Sequence, residues 1–169
     1  MIPAAGEGTA ATAPNPDCRT EDETMAEILH RITIDACVHD VFAAIATDEG
    51  IKHWWTDDST SASAAGEVSE FRFMNGEIVF RMRLNAYEPG SRLVWSFLGD
   101  YPAWDGTEVA WHLAPTDDGK TTLNLVHSGW TSTETEYPQC NTSWGHLMHL
   151  IRDYVEAKVG APPASEQSS

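Results

Sequence analysis

The chain has 169 residues, 41% of them hydrophobic, with 26 acids against 10 bases and a formal net charge of −16. That length fits one domain with a real core, and the charge argues against nucleic acid and anionic membrane surfaces, which would repel it. No apolar run approaches the roughly 20 residues that cross a bilayer, so membrane insertion is not expected. The three cysteines, Cys18, Cys37 and Cys140, form neither a CxxC pair nor an even framework, and a reduced, cytoplasmic protein is the expectation.

Residues 1–24 are rich in Ala, Pro, Thr and acid and hold almost no large apolar side chain. They cannot bury enough surface to offset the entropy of ordering and read as a disordered extension. With no basic start and no apolar stretch they do not read as a secretory signal. Met25 stands just before the first patterned segment and is an alternative translation start. The tail 161–169 reads as a flexible end. Five acids and one base before Met25 and one acid after Gly160 leave the unit 25–160 at −11.

Within that unit "ILHRITID" (28–35) alternates Ile32 and Ile34 with Arg31 and Thr33, which predicts a strand. Over 37–47 the period changes, with Val41, Phe42 and Ile45 on one helical face, and "ATDEG" ends that helix before "IKHWW". A run of strands follows. "VSEFRFM" and "EIVFRMRLNAY" flank Asn75-Gly76, a pair suited to a two-residue hairpin turn. Pro89-Gly90 leads into "RLVWSFL", and Asp118-Gly119 joins "TEVAWHLAP" to "TTLNLVHS". Asn141, Thr142 and Ser143 offer N-caps for a last helix that Gly160, Pro162 and Pro163 stop. Its apolar stripe is Trp144, Leu147, Met148, Ile151, Tyr154 and Val155. The order is strand, two short helices, about five antiparallel strands, long helix. A sheet curled around that helix leaves room for a cavity.

The segments "ITIDACVHDVFAAIATDEGIKHWWTDD", "EPGSRLVWSF", "WDGTEVAWHLAP", "TTLNLVHSGW" and "SWGHLMHLIRDYVE" occur in that order between about 28 and 158. Together they resemble the family of activators of heat-shock-protein-90 ATPase homologues, of the START-like, polyketide-cyclase-like (SRPBCC) superfamily. The resemblance implies an α+β helix-grip fold: a curved antiparallel β-sheet wrapped around a long C-terminal α-helix, two short helices after the first strand, and an apolar cavity between sheet and helix. The superfamily includes lipid carriers, polyketide cyclases and hormone receptors. The eukaryotic co-chaperone carries an additional N-terminal domain, and residues 1–24 are too short and polar to be one, so a heat-shock ATPase is not the expected partner.

Strand parity selects the inward side chains. Leu123, Leu125 and His127 share a face, so His127 ends an apolar row and points to the cavity. It is either a core histidine held by a backbone carbonyl or a polar anchor and acid–base group, and it is the one catalytic candidate. Trp95 lies between Leu93 and Phe97, and Trp111 between Val109 and Leu113, so both face the helix. With Trp54, Trp55, Trp130, Trp144 and Met148 they form the expected ligand-binding set; indoles suit a flat apolar ligand as well as a packed core. Of the adjacent pair, Trp54 or Trp55 packs inward and the other caps the loop.

His146 and His149 are three apart but lie opposite the apolar stripe, facing solvent. With no HExxH pattern and no cysteine–histidine set, neither a metal nor another cofactor is expected. Cys140 precedes the helix, with no partner histidine indicated. Glu70, Arg72, Arg81 and Arg83 fall opposite Phe71, Phe73, Phe80 and Met82, where cross-strand ion pairs are expected. "TSTETEY" (131–137) reads as a solvated loop. The leading functional expectation is a module binding a hydrophobic or aromatic small molecule. The alternatives are a cyclase- or hydrolase-like enzyme using His127 for proton transfer, and a co-chaperone-like regulator.

Overall fold

The structure, a computed structural model, describes residues 25–99 and 101–160. The expected disordered extension 1–24 and tail 161–169 lie outside the described residues. In chain order the elements are β1 (Ala26–Ile34), α1 (Val38–Ala46), α2 (Asp48–Ile51), β2 (Asp58–Thr60), β3 (Val68–Phe73), β4 (Ile78–Glu88), β5 (Arg92–Phe97), β6 (Glu108–Pro115), β7 (Thr121–Trp130) and α3 (Glu136–Gly160). One seven-stranded sheet runs in the order β1-β7-β6-β5-β4-β3-β2 with every pair antiparallel. The last strand thus pairs with the first, and α3 packs against β1 and α1. This is the helix-grip arrangement, α+β in class.

Period-two burial explains the sheet. Leu93, Trp95 and Phe97 on β5, Val109, Trp111 and Leu113 on β6, and Leu123, Leu125 and His127 on β7 are all buried. The opposite face of β3 and β4 carries the expected ladder: Glu70 pairs with Arg72 and, at 3.0 Å, with Arg81, while Arg72 reaches Asp58 at 3.1 Å. On α3 the buried side chains are Cys140, Trp144, Met148, Ile151 and Val155, a stripe advancing by three or four residues, with Leu147 and Tyr154 half-buried beside it.

Four local features differ from the sequence expectation. The turn at Asn75-Gly76 is not a two-residue hairpin. Phe73 and Ile78 close a four-residue loop in which Met74, Asn75 and Gly76 all take positive φ. The edge strand β2 has three residues and no alternating pattern to announce it. Helix α3 begins at Glu136, several residues before the proposed caps. Pro138 falls in its first turn, where a missing N–H leaves no intrahelical bond unmade. "TSTETEY" is consequently part loop and part helix. Its Tyr137 hydroxyl donates to the Glu27 carbonyl at 2.7 Å, tying α3 to the start of β1.

Candidate functional site: an aromatic cleft beside a closed indole core

Trp54 and Trp55 leave α2 on a hydrogen-bonded turn in which both amides reach the Ile51 carbonyl. Trp54 turns under α1, buried, and its Nε1 donates to the Ala44 carbonyl at 2.8 Å. Gly50 permits that approach. A Cβ there would stand 2.4 Å from the same Ala44 oxygen. Trp55 is half-buried and stacks on Trp54 at 5.6 Å and 5°. It also meets Phe71 at 4.6 Å, Trp95 at 6.1 Å and Trp144 at 5.9 Å. The adjacent pair is therefore a two-layer stack: Trp54 seals the core, and Trp55 covers it and shows its outer side.

Behind Trp55 the expected set divides. Trp95 and Trp111 meet edge to face at 6.0 Å, and Trp111 meets Trp54 at 5.8 Å and Trp144 at 5.6 Å in the same way. Trp111 is fully buried, and its Nε1 has no hydrogen-bond partner among the described residues. Neighbouring rings set edge to face leave it only the weak option of an N–H to ring contact. This end of the cluster is closed, and Met148 is buried with it.

His127 sits at the other side of Trp144, fully buried. The Trp144 Nε1 donates to His127 Nδ1 at 3.0 Å. An indole N–H can only donate, so Nδ1 carries the lone pair and the ring proton is on Nε2. That proton goes to Thr107 Oγ1 at 2.9 Å, and the Thr107 hydroxyl donates to the Trp104 carbonyl at 2.7 Å. The histidine is thus held by side chains rather than by a backbone carbonyl. Its own carbonyl accepts from Trp130 Nε1 at 3.1 Å, which fixes Trp130 in the core. Burial lowers the His127 pKa from 6.5 to about 3.

Cys140 does have a histidine beside it. Its Sγ lies 3.6 Å from His127 Nδ1, brought there by the early start of α3. Burial pushes the thiol up to about 12. The pair is therefore neutral at physiological pH and lacks the thiolate that a nucleophile requires. His146 and His149 are exposed, as their place on the helix predicts. Among the described residues there is no group of three or more His, Cys, Asp or Glu side chains arranged to hold a metal ion. Nor is any helix there long and apolar enough to cross a membrane.

Between α3, β4 and the turn Pro102–Trp104 the aromatic layer opens into a cleft of about 220 Å³. Trp55, Phe80, Tyr101, Trp104, Trp144 and Leu147 supply its apolar wall, and the polar groups come from the first turns of α3, with Cys140 among them. Of the expected set only Trp55 and Trp144 line it. Trp95, Trp111, His127, Trp130 and Met148 stand behind the wall or away from it. Trp104, which the sequence reading passed over, joins the two parts. It stacks on Phe80 at 4.9 Å and meets the His127 ring edge-on at 4.8 Å. A larger groove of about 550 Å³ lies beyond Trp55, but Lys52, Asp57, Asp58 and Arg72 give it charges of both signs.

A curved sheet gripping a long helix, with an aromatic cleft between them, defines a START-like protein. The model of the family described as activator of Hsp90 ATPase homolog 1-like protein matches residues 35–156, and the chain belongs to that family. The solution structure of the Aha1 dimer from Colwellia psychrerythraea is 30% identical, with a TM-score of 0.72 over 80% of this chain and 100% of that one. A Mesorhizobium loti protein is similar in fold at 19% identity and TM-score 0.69, again over 80% of this chain and 100% of that one. DynU16, from the dynemicin biosynthetic locus, shares the fold at 22% identity and TM-score 0.66 over 78% of this chain and 48% of that one. No curated protein matches the chain in sequence.

Proposed function

We propose that the protein is a cytoplasmic binding module that holds a small hydrophobic or aromatic molecule in the cleft between α3, β4 and the Pro102–Trp104 turn. The observation that carries this reading is the exposed side of an aromatic layer opening on a cleft of about 220 Å³. Drug-sized sites run from roughly 300 to 1,000 Å³, so the occupant is a small molecule or one end of a longer one. Behind the cleft the indole core forms a stiff wall, and the Trp144–His127–Thr107 chain fixes one of its rings. His127 then acts as a positioning residue. Both its nitrogens are engaged and its pKa is far below neutrality, which favours holding Trp144 over proton transfer.

The test is stabilisation by ligand. Compounds copurifying with the native protein, identified by mass spectrometry, should raise its melting temperature and quench its tryptophan fluorescence. The expected gain is RT ln(1 + [L]/Kd), about 2.7 kcal/mol at a hundredfold excess over Kd. A broad screen of apolar and aromatic compounds without stabilisation would overturn the reading.

A second reading, favoured by the family description, is regulation of a heat-shock ATPase through the outer surface. We rank it below binding because the cleft is a built concavity, whereas the outer ladder of Glu70, Arg72 and Arg81 already pairs with itself. An ATPase assay with a heat-shock-protein-90 homologue from the same source should show no stimulation. Saturable stimulation would reverse the ranking.

A further inference from the structure

We infer that the cleft recognises a small organic cation, an alkylammonium group seated on its aromatic walls with Glu136 as the counter-charge. This rests on the binding reading above and names the class of ligand.

The wall is unusually rich in rings for so small a space. Phe80 stacks on Trp104 at 4.9 Å and 23°, and Tyr101 meets Phe80 at 5.5 Å and 62°. Trp104 lies 6.2 Å from Trp144 at 30°, and Trp55 lies 6.2 Å from Phe80. Five rings set at different angles line this one space, so a ligand seated there has aromatic groups on several sides. A neutral apolar ligand gains only the area it buries there, whereas a cation also gains attraction from any ring whose face it meets.

Charge points the same way. Glu136 is the one charged residue among the described lining residues, and no Lys or Arg is among them. The Tyr101 hydroxyl donates to Glu136 Oε2 at 3.3 Å, which steers the carboxylate to the cleft edge. Burial, and then the neighbouring Glu136 charge, raise the Tyr101 pKa. Among the described residues Glu136 has no ion-pair partner. An acid in the first turn of a helix has a structural reason of its own. That reason does not explain five aromatic residues converging on the same space, and a cation uses both.

The test compares choline with its carbon isostere, the neutral alcohol in which a tert-butyl group replaces trimethylammonium, on the full-length protein. Binding is read by tryptophan fluorescence and by NMR shifts of the indole N–H signals. Choline should bind roughly 2- to 30-fold more tightly than the alcohol, the range that cation–π attraction supplies. That margin should shrink with added salt. Glu136→Gln should reduce choline affinity more than that of the alcohol, and His146→Ala, on the solvent face, should change neither. Equal affinities for the two probes, with Glu136→Gln affecting both alike, would overturn the cation assignment while leaving the apolar cleft intact. No shift with either probe, nor with any member of the neutral aromatic screen, would overturn the cleft as a binding site and the cation assignment with it.

Discussion

The two ends of the indole cluster use the same residue type to opposite effect. At the closed end Trp54, Trp95 and Trp111 are buried and meet mainly edge to face, so each ring fills the space its neighbour leaves. At the open end Trp55, Phe80 and Tyr101 are only half-buried and line a cleft backed by the buried rings of Trp104 and Trp144, while the rest of the α3 lining is mainly Glu136, Gln139, Cys140 and Ser143. Small and polar side chains there cannot complete the packing, and a cleft remains. A cluster of tryptophans is therefore not itself a site. What distinguishes a site is whether the opposing element fills the gap.

The largest effect should come from the closed end. Trp111→Ala removes a fully buried indole and should cost about 3–5 kcal/mol in urea denaturation. A loss below about 1 kcal/mol would mean that this end is as loosely packed as the other. Acid should produce the next largest effect, through His127. Its folded pKa, about 3, lies below the ordinary 6.5, so the unfolded chain binds the extra proton between those values. Its contribution is present above pH 6.5 and is lost as pH falls toward 3, on the order of a few kcal/mol. Replacing His127 with Gln should flatten that part of the stability–pH curve. An unchanged acid limb would show that other groups control it.

Cys140 has the opposite sign. Its raised folded pKa stabilises the protein below pH 9, and that contribution fades as pH rises from 9 toward 12. Gly50→Ala forces a Cβ against the Ala44 carbonyl that Trp54 uses. It should cost roughly 1–3 kcal/mol in the same denaturation assay and shift the Trp54 indole signal. The smallest effect belongs to the open end. Ser143→Leu, on an exposed lining position, should stay within about 1 kcal/mol of the parent or gain slightly, as cavity filling does, while abolishing ligand-induced stabilisation. A large loss from Ser143→Leu would erase the distinction between the two ends.

Where pattern alone decides, the sequence was sufficient. Alternation placed Trp95, Trp111 and His127 inward and the Glu70–Arg81 pair outward, because one face of each strand is buried. It could not show that Cys140 reaches His127, since only the pairing of β7 with β1 and the docking of α3 bring them together. Trp104 was missed because "YPAWDG" carries Pro, Asp and Gly and reads as a turn. Its burial comes from Phe80 and Phe97 on other strands. Pro138 concealed the true start of α3, and with it Glu136 on the cleft. The wall was thus legible in part, but the opening was not, because a gap is a property of facing elements.

The most direct test of the cleft is to follow all seven tryptophan indole N–H signals by NMR while titrating a small aromatic probe such as indole. Saturable shifts should concentrate on Trp55, Trp104 and Trp144, with Trp95 and Trp111 nearly unmoved. Shifts largest at Trp95 and Trp111, or no saturable shift at any of the seven, would contradict it.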